Sequence, residues 1–213
     1  PEAFLGLDNH EALVAYVDGA AAAAPAPAYL ARLGEAGWAG MGSGPVAALP
    51  DLDPAGLEAA LGGDQGDAFA ARPEWGGIPR ETGPLTRAWD QPPVAAARAV
   101  HGAGVLGRSV ARLAELAAVP RELRRLAREG PAGSVQAAAP APGIGLGTVE
   151  AARGRLVHRV RVDGGRVADY RILAPTEWNF HPGGCLARGL LGAEPGTSEA
   201  AVRAVADRLI GAV

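Results

Sequence analysis

The chain has 213 residues, 48% of them hydrophobic and 20% charged, with a net charge of −3. That is the composition of a folded globular protein able to bury roughly 70% of its unfolded surface, not of a disordered one. There is no lysine, the arginines are interleaved with acids, and no basic stripe marks a nucleic-acid surface. No apolar run approaches the ~18–20 residues of a membrane span. No charged stretch followed by an apolar one opens the chain as a secretory signal would. A single cysteine, Cys185, excludes an internal disulfide framework and any CxxC metal knuckle within this span. The first residue is Pro1 rather than Met, which points to a piece of a longer protein and leaves an upstream segment open.

The first third reads as short helices broken by Pro and Gly. Asp8-Asn9-His10-Glu11 precedes Ala12, Leu13, Val14 and Val17 as an acidic N-cap with Glu three residues on, a helix start. Pro25-Ala26-Pro27 reads as a breaker before a helix-like Tyr29–Leu33. Asp53-Pro54 gives a cap with proline at the first helical position, and Gly62-Gly63 ends that helix. Residues 73–93 carry enough Pro and Gly to read as loop. From Val94 to Val119 runs the longest helical pattern, with Val105, Val110, Leu113 and Leu116 near one stripe. Pro120 interrupts it, and a second helix covers Glu122 to about Arg128. Residues 130–143, rich in Ala, Pro and Gly, read as a connector.

The period then changes. Leu156, His158, Val160 and Val162 alternate with Val157, Arg159, Arg161 and Asp163, and Asp163-Gly164-Gly165 signals a tight turn. Arg166–Leu173 returns as the second strand of a hairpin. A last helix begins near Ser198, with Val202, Val205, Leu209 and Ile210 at helical spacing. The expected fold is α+β and mainly α, with a small sheet in the C-terminal half packed on the long helix.

Pairing the hairpin strands brings their bases together. Arg153 and Leu156 then lie near Ala174, Pro175 and Thr176, a corner offering a guanidinium, a hydroxyl and backbone N–H groups beside small apolar walls. On the residues alone, the plainer reading is preferred: an arginine capping carbonyls and a threonine in a turn. Cys185 and His181 could supply a thiolate and an imidazole from one Gly-rich loop. The preferred reading there is a small buried thiol and a surface histidine. Trp38, Trp75 and Trp89 read as packing anchors.

Taken in order, Glu81-Thr82-Gly83-Pro84-Leu85-Thr86-Arg87, then Glu150-Ala151-Ala152-Arg153-Gly154-Arg155-Leu156-Val157-His158, then Pro175-Thr176-Glu177-Trp178-Asn179 resemble the C-terminal half of the nickel–iron hydrogenase large subunit. The resemblance covers about residues 75–213, a hydrogenase large-subunit-like region. Residues 1–74 form a helical N-terminal segment without a matching motif. Catalytic members hold nickel and iron with four cysteines from two CxxC motifs, and neither is present in this span. Ala152 also stands where the family has proline. No catalytic residue and no stable nickel–iron centre is therefore expected here.

What the resemblance retains is the surroundings of the iron's diatomic ligands. It implies that Arg153, Thr176 and backbone N–H groups face electron-rich cyanide, while Leu156, Ala174 and Pro175 line the carbonyl side. His158 matches the family's histidine, either in a functional role or as a strand histidine bonded to a carbonyl. The run Phe180-His181-Pro182-Gly183-Gly184 after Trp-Asn is similar to the HupK/HoxV type of hydrogenase maturation protein. That implies a non-catalytic, cytoplasmic scaffold for a transient Fe(CN)2CO fragment. Its implied partners are maturation factors and a large-subunit precursor. Two other readings stay open: a truncated catalytic subunit, since Val213 falls about where the family's Asp-Pro-Cys motif would begin, and a degenerate paralogue that only docks proteins.

Overall fold

The computed structural model describes residues 2–130 and 135–213. It forms two compact units with interleaved segments: Pro1–Val46, Pro84–Gly130 and Cys185–Val213 in one, Ala47–Gly83 and Pro131–Gly184 in the other. The expected boundary at 74/75 marks where the motif resemblance starts, which is a different question from how the chain divides in space.

The helical unit contains α1 (Glu2–Leu5), α2 (His10–Ala20) and α3 (Pro25–Glu35). Asn9 caps α2, its side-chain oxygen accepting from Ala12 N–H at 2.8 Å. Pro25-Ala26-Pro27 does not break the chain before α3, as expected, but begins it. First-turn N–H groups have no partner inside a helix, so proline loses nothing there.

The unit continues, after α4 (Pro54–Leu61) and α5 (Gly66–Ala71) of the second unit, with α6 (Pro84–Arg87), α7 (Pro92–His101) and α8 (Val105–Glu129). The loop expected over 73–93 is thus partly helical, and the single helix expected over 94–119 is two. The break falls at Gly102-Ala103-Gly104. Gly102 sits at φ +58°, and a Cβ on Gly104 would meet the Ala39 carbonyl oxygen at 2.6 Å. That close approach lets Ala39 and Met41 carbonyls accept from Leu106 and Val105 N–H, capping α8. Val105, Val110, Ala111 and Ala114 are fully buried against Leu13, Leu30, Leu33, Val94 and Leu209, whereas Leu116 is 63% exposed. The expected stripe through Leu116 is therefore corrected to one through Ala111 and Ala114.

Pro120 lies inside α8 rather than between two helices. The carbonyl that the missing N–H leaves free is that of Leu116, itself exposed, so it reaches water and the helix survives.

The second unit is built on a four-stranded antiparallel sheet in the order β1 (Val135–Ala138), β2 (Ile144–Ala151), β3 (Gly154–Asp163), β4 (Arg166–Leu173). The hairpin is as expected, with Asp163 opposite Arg166 across Gly164-Gly165. The connector expected over 130–143 holds β1, paired with β2, while residues 131–134 lie outside the described residues. Small residues can enter a ladder because pairing needs only their backbone.

On one face of the sheet, Leu146, Val157 and Leu173 pack with Leu57 and Leu61 of α4 and with Trp178 of α9 (Pro175–Asn179). That face also buries Arg159, which is 3% exposed. Its Nε and Nη2 donate to the two oxygens of Glu58 at 2.7 Å, and Nη1 donates to Asp169. The hydrogen bonds to Glu58, opposed by desolvation, hold its pKa above the usual arginine range. Back in the helical unit, α10 (Cys185–Leu191) and α11 (Glu199–Ala212) complete the chain, and Ser198 caps α11 through Ala201 N–H.

Candidate functional site

The three motif segments meet at the base of β3, within the sheet unit. The last β3–β4 pair is Val157 with Leu173, so Leu156 and Ala174 are the next residues at the strand bases, and Leu156 itself pairs with Val149 of β2. Only Ala174 separates β4 from α9, whose first residue Pro175 has its φ pre-set for a helix start. Trp178 anchors α9: it is fully buried and meets Phe69 edge-on, with ring centroids 6.1 Å apart.

Asn179, at the end of α9, clasps the other two motif segments. Its Oδ1 accepts from Thr82 N–H at 3.0 Å, and its Nδ2 donates to the carbonyls of Thr82 at 2.9 Å and Arg153 at 3.3 Å. Thr82 Oγ1 in turn accepts from Arg155 N–H at 3.0 Å. Both side chains are buried, so each bond replaces one to water and each loss would strand a polar group. Glu81, next to Thr82, is also buried; its N–H donates to Ala47 O and its carbonyl accepts from Leu49 N–H.

Two glycines make the crossing possible. Gly83 lies at φ +131° and Gly154 at φ +133°. A Cβ on Gly154 would stand 2.5 Å from Thr82 Cγ2, and one on Gly83 would stand 3.0 Å from the Arg153 carbonyl oxygen. Backbone meets backbone here, which only glycine on each side permits.

The sequence-predicted residues fall as follows. Leu156, Ala174, Pro175 and Thr176 are half-buried. Arg153 is exposed, and its guanidinium makes no hydrogen bond or ion pair with any described residue. Its neighbour Arg155 is instead tied to Glu150 and to the carbonyl of Pro50. The Thr176 hydroxyl makes no bond to Arg153. His158 Nδ1 meets the Tyr170 hydroxyl on the sheet face opposite Val157.

His181 is buried rather than at the surface: its Nδ1 accepts from Gly183 N–H at 3.0 Å, and Nε2 lies 3.8 Å from Glu74. Cys185, buried at the start of α10, lines a cavity of about 630 Å³ in the helical unit with Arg108, Arg188 and the Gly37–Gly44 loop. Among the described residues, no three His, Cys, Asp or Glu side chains are grouped to hold a metal. Thr82 and Asn179, which make the clasp, were visible only as letters of two motifs. Their 97-residue separation hid the bonds.

A mainly helical chain with a four-stranded antiparallel sheet, tied at this corner by three separated motifs, has the fold of a hydrogenase large-subunit-like protein. Residues 94–194 match the family model described as nickel-dependent hydrogenase. The fold is shared with the Ni-Fe-Se hydrogenase of Desulfovibrio vulgaris Hildenborough. A variant of that enzyme superposes with a TM-score of 0.51 at 25% identity, over 66% of this chain and 35% of that one.

The chain is similar to nickel-dependent hydrogenases and, in particular, to hydrogenase expression/formation proteins. HupK of Rhizobium leguminosarum bv. viciae is 40% identical over 141 residues, 64% of this chain and 36% of that protein. HoxV of Cupriavidus necator is 36% identical over 159 residues, 70% of this chain and 40% of that protein. HupK of Azotobacter vinelandii is 33% identical over 157 residues, 67% and 42% of the two chains. The chain thus spans about two fifths of the length of the curated relatives it matches.

Proposed function

We propose that this chain serves nickel–iron hydrogenase maturation as a non-catalytic, cytoplasmic accessory protein that holds the Fe(CN)2CO fragment as cargo. Its partners would be maturation factors and a large-subunit precursor. The observation that carries this reading is the corner itself. Buried hydrogen bonds and two glycines fix the backbone of three motif segments, while Arg153 above them is left exposed with no partner among the described residues. Arg155 and Arg159 on the same strand are by contrast engaged with carbonyls and carboxylates.

The donor set suits the cargo. Metal-bound cyanide is an electron-rich acceptor that a guanidinium and a hydroxyl satisfy, so Arg153 and Thr176 would take it. Carbon monoxide accepts weakly and sits better against Leu156, Ala174 and Pro175. The relatives' names, hydrogenase expression/formation proteins, support a role in assembly rather than turnover.

Arg153→Ala tests the assignment in protein produced with the maturation machinery and purified without oxygen. Because the side chain is exposed and unpaired, folding stability should stay within about 0.5 kcal/mol of wild type. Loading of the iron fragment should fall about tenfold or more, the effect of losing one charge-assisted hydrogen bond. Unchanged loading would remove Arg153 from the site.

A further inference from the structure

Over its first two turns α8 is covered on every side: Val105 through Ala111 are all buried. Farther along, Ala114 and Ala117 still pack into the core, but the opposite side of the helix carries an apolar row. Leu116, Val119 and Leu123 are 63%, 42% and 59% exposed, and Leu126 is half-buried. Their spacings of three, four and three residues put all four on one stripe with the repeat of a helix–helix seam. Single exposed leucines are ordinary, whereas an aligned row is a contact surface.

The two edges of the stripe differ in charge. Glu115, Glu122 and Glu129 recur every seventh residue along one edge, and Arg124 and Arg128 lie along the other. Arg125, behind the acidic edge, donates to Glu122 and Glu129 within the helix. Arg124 makes no hydrogen bond or ion pair with any described residue. A second helix of this kind lying antiparallel on the stripe would set acidic edge against acidic edge. Running the same way, it sets basic edge against acidic edge, with Arg124 of one copy and Glu122 of the other about 3 Å apart along the axis.

We propose that a second copy of this chain docks in parallel along the Leu116–Leu126 stripe of α8. Leu116, Val119, Leu123 and Leu126 of the two copies form the apolar layers, and Glu122 faces Arg124 of the second copy. Two heptads make a contact smaller than a standard protein–protein interface, so the dissociation constant is about 10–100 µM. The stripe belongs to the helical unit, and the pairing stands independently of the function proposed for the sheet unit.

Sedimentation equilibrium of the whole chain should show a mass rising from monomer to dimer between about 1 µM and 1 mM. Leu123→Glu should raise the dissociation constant at least tenfold at an unchanged melting temperature, because the side chain is exposed in the single chain. Arg124→Glu, which turns the facing pair into two acids, should raise it about threefold. Adding Glu122→Arg to Arg124→Glu exchanges the two edges and should restore the affinity, a recovery that unspecific apolar contact would not give. An unchanged dissociation constant in Leu123→Glu, or no recovery in the double variant, would overturn the proposal. A monomer mass throughout would overturn it as well and leave the stripe to a different protein.

Discussion

Asn179 uses its whole side-chain amide in the clasp: one oxygen accepting and one nitrogen donating to two carbonyls. Replacing it with Asp keeps the acceptor for Thr82 N–H but aims a second oxygen at those carbonyls. Asn179→Asp should therefore destabilise at least as much as Asn179→Ala, which is expected to cost about 1–3 kcal/mol in urea unfolding. A smaller loss for Asp than for Ala would mean that Nδ2 contributes little. Gly154→Ala is expected to cost roughly 2–4 kcal/mol, since the new Cβ meets Thr82 at 2.5 Å in a backbone region that side chains avoid. What was legible at this scale was local. The cap expected at Asp53 forms, on Gly56 N–H, whereas the acidic cap expected at Asp8 falls instead to Asn9, on Ala12 N–H. Arg159 looked like one of several polar residues in an alternating strand. Its burial depends on Glu58, 101 residues away, and no local pattern carries that information.

At the scale of elements, the Arg159 cluster joins α4 to β3 and β4. Arg159→Met removes the cation and leaves Glu58 and Asp169 facing each other's charge. A fully buried pair broken this way costs about 3–5 kcal/mol, and the partial solvation of both carboxylates lowers that to about 2–3. Glu58→Gln added to Arg159→Met should recover part of the loss, a coupling that a double-mutant cycle in urea measures directly. The helix α8 offers the opposite sign. Pro120 sits in an exposed helix interior, where proline costs up to about 3 kcal/mol against alanine. Pro120→Ala should slow amide exchange through the distal half of α8 without lowering the melting temperature. Faster exchange there would mean that the proline serves the helix. Sequence periodicity placed the helices but put the break at Pro120, because proline is the stronger local signal. The actual break at Gly102–Gly104 exists because the loop at Ala39–Met41 supplies carbonyl partners from elsewhere in the chain.

At the scale of the molecule, the two units interleave along the chain, so neither is a continuous stretch. Residues 75–213 alone carry the three motif segments but lack Leu13, Leu30 and Leu33 of one core and Leu57 and Leu61 of the other. That fragment is expected to show no cooperative thermal transition, whereas the whole chain should. A sharp transition in the fragment would mean that the motif-bearing region folds by itself. The central functional claim rests on the corner that the sheet unit builds around Asn179. It is tested most directly by infrared spectroscopy of the protein, produced together with the hydrogenase maturation machinery and purified anaerobically. Cyanide and carbonyl stretching bands should appear in the wild-type protein and fade in Arg153→Ala, while a wild-type spectrum without those bands would contradict the assignment of an Fe(CN)2CO cargo.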